Sequence, residues 1–183
     1  MRWDRLFDDL QAQMDADGQR ELDLEVSDRT RRERALVGLH ERFMAHRGLG
    51  VELRLTAGVV VSGTIADAGS DWLLTHDQGE RGSLVPFGAI VSVSGLGVRA
   101  AVGSGAATAK RFGLGYALRG LSRDRSVVSL TDIGGSVTTG TIDAVGADAL
   151  DLSEHPVDLP RRSENIAGRR VIPFAAIVVV RHG

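Results

Sequence analysis

The chain has 183 residues, 43% of them hydrophobic, with 22 lysines and arginines set against 24 aspartates and glutamates, a net charge of −2. It contains no cysteine, which excludes disulfides and thiolate metal sites, and the near-neutral balance excludes a chain-wide nucleic-acid footprint. No apolar run approaches the ~20 residues of a membrane span and the start MRWDRLFDDL is too charged for a signal peptide, so a cytoplasmic protein without membrane contact is expected.

Trp3, Leu6, Phe7, Leu10 and Met14 follow the spacing of an amphipathic helix, with Asp4, Arg5, Asp8 and Asp9 on its other face. Asp15 to Gly18 breaks that pattern, and a second helical stretch is expected from Glu21 to His46, stopped by Gly48 and Gly50. Within it Arg29, Arg31, Arg32 and Arg34 interleave with Glu25, Asp28 and Glu33, the mark of a solvated face. Residues 1–47 therefore read as an N-terminal helical arm whose five-residue apolar stripe is a candidate protein interface.

Val51, Leu53 and Leu55 alternate with Glu52, Arg54 and Thr56, the period of a half-buried strand. Ala57-Gly58 is a turn, Val59 to Ala66 a second strand, Trp72 to Thr75 a third, Ser83 to Val85 a fourth, Pro86 to Ala89 a single helical turn, and Ile90 to Val93 a fifth strand. Gly63 lies inside the second strand, where a glycine marks a bend or a close backbone approach.

Gly95 to Ala107 is a Gly/Ala/Ser linker, and a basic helix is expected from Ala109 to Arg123. From Ala101 to Ser126 the cations Lys110, Arg111, Arg119, Arg123 and Arg125 face Asp124 alone. The strand pattern then repeats. Gly63-Thr64-Ile65 returns as Gly140-Thr141-Ile142, and the same offset carries Val51 to Val128, Leu53 to Leu130, Gly69 to Gly146 and Asp71 to Asp148. Val85 to Val93 (VPFGAIVSV) returns as Ile172 to Val180 (IPFAAIVVV) after an insertion over residues 155–170. An internal repeat of this length signals two copies of one fold unit. Each copy is about 50–60 residues, a size at which a lone core is marginal, so the copies are expected to lean on each other or on the helices.

The residues expected from this reading are an α+β chain: N-terminal helices (1–47), a first five-stranded SH3-like or Sm-like barrel (48–97), a linker with a basic helix (98–125), and a second such barrel (126–183). The shared pattern V-x-G-T-I-x-x-x-G-x-D-x-L resembles the Sm-like barrel family, and also the SH3-like barrels of ribosome-maturation factors and biotin ligases. Helical arm plus two barrels, taken together, resembles an uncharacterised actinobacterial family. The Sm resemblance implies the small-barrel fold of that family. Leu73 and Leu150 stand where Sm proteins carry the asparagine that holds an RNA base, and Gly69 and Gly146 where they carry an aspartate.

No motif spells out a reaction. Gly95 to Ala100 fits GxGxxA but lacks the βαβ setting of a dinucleotide site. His40, His46, His76, His155 and His182 have no zinc-ligand spacing. Asp71 and Asp148 follow glycines, as turn-bonding aspartates do, and Trp72, replaced by Ala149 in the second copy, reads as a packing residue. In the insertion Arg161, Arg162, Arg169 and Arg170 form two pairs of the type that can grip phosphate or carboxylate. The expectation is a non-catalytic adaptor with no cofactor or metal, whose partner is another protein or a second copy of the chain. The alternative is an RNA- or DNA-associated protein that uses the nine cations of the basic helix and the insertion.

Overall fold

The structure is a computed structural model that describes residues 31, 35–101, 112–159 and 161–183. The chain separates into a unit of Met1–Gly38 and one of Leu39–Gly183, and all elements below belong to the second. The stripe from Trp3 to Met14, together with Lys110 and Arg111, lies outside the described residues.

Helix α1 (Leu39–Ala45) buries Phe43 completely. Gly48, at φ +83°, turns the chain out of it, a backbone conformation that glycine adopts without a Cβ penalty. Strands β1 (Gly50–Leu55), β2 (Val60–Ala68), β3 (Trp72–His76) and β4 (Gly82–Pro86) follow. A 3₁₀ turn at Phe87–Ala89 leads into β5 (Ile90–Ser94). Helix α2 (Leu114–Arg123) then opens the second copy: β6 (Val127–Asp132), β7 (Val137–Val145), β8 (Ala149–Glu154), β9 (Gly168–Pro173), the turn Phe174–Ala176 and β10 (Ile177–His182).

All ten strands join in one antiparallel sheet, in the order β5-β1-β2-β3-β4-β10-β6-β7-β8-β9. This overturns the expected fold of N-terminal helices followed by two five-stranded barrels. The strands begin and end within two residues of their expected places, but the first copy's β4 pairs with the second copy's β10, through Val180 with Leu84, Arg181 with Ser83 and His182 with Gly82. The described residues hold two short helices. The physical reason is the marginal size of each copy: joining edges removes two unpaired strand borders and buries apolar side chains that neither copy could cover alone.

Each copy keeps the same internal order, its fifth strand outside its first, so the sheet is two equivalent five-strand blocks fused edge to edge. Even the irregularities repeat. The register shifts between Ile65 and Asp67 in β2 and between Ile142 and Ala144 in β7, a β-bulge at the same repeat position.

Two cores lie on the sheet, and the central strands serve both. Val51, Leu53, Leu55, Ile65, Leu73 and Val85 build the first around Phe43. Val128, Leu130, Ile142, Leu150 and Leu152 build the second, covered by Leu114 and Leu118 of α2. Side chains alternate between sheet faces, so in β3 Leu73 enters the first core and Trp72 the second, and in β4 Val85 enters the first and Leu84 the second. From β10, Val178 and Val179 enter the first core while Ile177 and Val180 enter the second. That break in alternation coincides with a register shift between Ile177 and Val179.

Candidate functional site

The surface features that could meet a partner are the junction between the copies, the charged insertion, and the two open strands β5 and β9 that end the sheet.

At the junction, β3 is tied to the linker. Trp72 is 7% exposed, and its Nε1–H donates to the Phe112 carbonyl at 2.9 Å. Asp71 Oδ1 accepts the backbone N–H of Leu114 at 2.7 Å. Gly113, the N-cap of α2, offers no side-chain cap, so a carboxylate from another element satisfies one of the orphan donors of the helix start. Asp71 thus does more than the turn bonding expected of it, whereas Asp148 is held through its backbone: its carbonyl accepts Phe174 N at 2.7 Å, as that of Asp71 accepts Phe87 N at 2.7 Å. Trp72 is a packing residue, as expected. The asymmetry Trp72 against Ala149 is the sequence signal that this end of one copy is covered and the other is not.

The GxGxxA loop is pinned to α1 rather than open to a nucleotide. Arg42 Nη2 donates to the Gly97 carbonyl at 2.8 Å, and Gly97 N donates to His46 Nε2 at 3.0 Å. His46 Nδ1 therefore carries its proton and donates to the Arg42 carbonyl at 2.7 Å. His155 is tied in the same way, bonding Thr141 Oγ1 at 2.8 Å and the Pro156 carbonyl at 2.8 Å. Both imidazoles are thus held by hydrogen bonds, and among the described residues no three His, Asp or Glu side chains converge as metal ligands.

The insertion brings Arg161, Arg162 and Arg170 onto carboxylates of its own copy. Arg161 Nε lies 2.5 Å from Asp143 Oδ1, and Ser153 Oγ donates to Asp143 Oδ2 at 2.6 Å. The Arg161 guanidinium, with help from Ser153, holds the Asp143 carboxyl below its usual range, and Asp143 in turn raises Arg161. Arg170 pairs with Glu154, and Arg162 lies 3.8 Å from Glu164. A small recess of about 280 Å³ between Asp143, Asp151, Arg169 and Arg170 carries both signs of charge. Asp143 sits at the β7 bulge, where the first copy has Ala66; sequence reasoning named the arginines and missed this carboxylate.

Arg119 of α2 donates to the Gly146 carbonyl at 3.3 Å, while Arg123 at the end of the helix and Arg125 beyond it are exposed.

At the outer edges, Val91 of β5 is 67% exposed and Val171 of β9 is 70% exposed. Their repeat equivalents, Val178 and Leu84, are 0% and 2% exposed inside the seam. Sequence reasoning did not single out either valine.

Comparison with protein-family models, with curated proteins and with solved structures gave no match. The likeness to Sm-like, SH3-like and actinobacterial proteins thus rests on the strand pattern alone. No described helix is long and apolar enough to cross a membrane.

Proposed function

We propose that the chain is a non-catalytic cytoplasmic interaction protein, an adaptor that binds protein partners through its sheet surfaces and edges. The observation that carries this reading is the pairing of Arg161 with Asp143, Arg162 with Glu164 and Arg170 with Glu154. A cation already matched by a carboxylate releases little counterion on meeting a phosphate, and counterion release supplies most of the affinity for nucleic acid. The exposed valines of the sheet edges add apolar surface of the kind that marks contact sites. The apolar stripe Trp3, Leu6, Phe7, Leu10 and Met14 is a second contact surface in this reading.

Fluorescence anisotropy with mixed RNA and DNA fragments tests it. The expected result is no change, even in low salt. Micromolar or tighter binding at about 150 mM salt, abolished by changing Arg161, Arg162, Arg169 and Arg170 together to Ala, would overturn the reading in favour of a nucleic-acid-associated protein. Affinity capture from lysate with and without nuclease is the complementary measurement, and partners are expected to persist after nuclease.

A further inference from the structure

We infer that the partner of the open sheet edges is a second copy of the same chain, bound head to tail, with β9 of one copy pairing antiparallel with β5 of the next. This rests on the interaction-protein reading and names the partner.

The internal seam supplies the template. It joins the fourth strand of one block to the fifth strand of the other. The fusion leaves one fifth strand, β5, and one fourth strand, β9, as the two ends of the sheet. These are the complementary halves of the contact already made once within the chain. Transferring the register Val180–Leu84, Arg181–Ser83 and His182–Gly82 through the repeat opposes Val93 to Val171, Ser94 to Arg170 and Gly95 to Arg169.

The side chains agree with that register. Within the seam Leu84, Val180 and Leu130 lie in line across three strands and all enter the second core. The transferred line is Val171, Val93 and Leu53, with Val93 already paired to Leu53 and packed on the first core. Val171 would cap the first core of the next copy as Leu84 caps the second. Reciprocally, Val91 would enter the next copy's second core, as Val178 enters the first. On the opposite face Arg170 meets Ser94, whose other neighbour is Glu52. Two exposed strand edges whose side chains match in this register are a template for strand pairing.

The outer contact is weaker than the seam. Val171 replaces Leu84, Ala149 replaces Trp72 and Asp151 replaces Leu74, so less apolar surface is covered. Association is therefore reversible and concentration-dependent. Because the contact is heterologous, it grows into a ring if the rotation closes and a filament if it does not.

The chain has no cysteine, which allows a direct test on the full chain. Val93→Cys and Val171→Cys are made separately, and each is checked for an unchanged circular dichroism spectrum and melting temperature. A short bis-maleimide is then added to each variant alone and to their mixture. The expected result is a cross-linked dimer in the mixture and little with either variant alone. No dimer in the mixture, or dimers formed as readily by one variant alone, would overturn the head-to-tail pairing. Neither of those outcomes touches the interaction-protein reading, which falls only on the nucleic-acid binding experiment.

Discussion

Leu84 and Val171 hold the same place in the two copies, yet Leu84 is 2% exposed and Val171 is 70% exposed. The difference comes from what lies beside them: β10 covers β4, and β9 ends the sheet. Leu84→Ala is therefore expected to cost about 2–5 kcal/mol, as buried leucine truncations do. Val171→Ala should cost the isolated chain under about 0.5 kcal/mol, the range for exposed sites. Urea denaturation of both variants at a concentration where the chain is monomeric checks the contrast.

The glycines inside β2 and β7 face opposing backbone. A Cβ on Gly63 would lie 2.6 Å from the His76 carbonyl oxygen, and one on Gly140 would come closer still to that of Ser153. Gly63→Val and Gly140→Val should each destabilise by more than ~1 kcal/mol, because the neighbouring strand must shift. Thermal melts that match the parent would show that these strands do not approach as described.

This feature was legible in the sequence, since Gly63 and Gly140 recur at one offset inside two strand patterns. The strand positions were legible for the same reason, because alternation such as Val51, Leu53, Leu55 reads directly as a face. The joining of the blocks was not. Alternation reports which face of a strand is buried and says nothing about which edge it pairs with. One signal was available: β5 reads IVSVS, while β10 reads IVVVRH, with Ile177 to Val180 all buried. A continuous apolar run marks a strand covered on both faces. The Asp143–Arg161 pair was hidden because its members are far apart in sequence and meet only through the β7 bulge and the insertion.

Asp71 caps a helix that lies 43 residues further along the chain. Asp71→Ala should destabilise by about 1 kcal/mol, the usual loss for a helix cap. Trp72→Phe removes the hydrogen bond to the Phe112 carbonyl while keeping most of the packing, at a cost of about 1 kcal/mol. Chemical denaturation of the two single variants and the double tests whether they hold the same linker. Coupling, with the double variant losing a different amount from the sum of the singles, is expected for residues that share a partner segment.

His182 lies opposite Gly82 in the seam, and the ring leaves no room for a Cβ there. Burial, reinforced by the nearby His76, pushes its pKa below the ordinary 6.5, with Asp124 acting weakly the other way. The unfolded chain then binds the proton more readily than the folded one, so the contribution to stability is complete above pH 6.5 and is lost as pH falls towards the lowered folded value. Stability measured by denaturant between about pH 7.5 and about pH 5 should fall, and His182→Gln should flatten part of that fall. An identical slope in the variant would remove His182 as its source.

The central claim is that one edge-to-edge contact is made twice, once inside the chain and once between chains. Multi-angle light scattering of the unmodified protein over a wide concentration range tests it most directly. The expected molar mass rises with concentration from that of one chain to whole multiples of it, and Val171→Lys, which places a charge where the neighbour's core would be, returns it to one chain at every concentration. A mass of a single chain throughout for the unmodified protein, or assembly that Val171→Lys leaves unchanged, would contradict it.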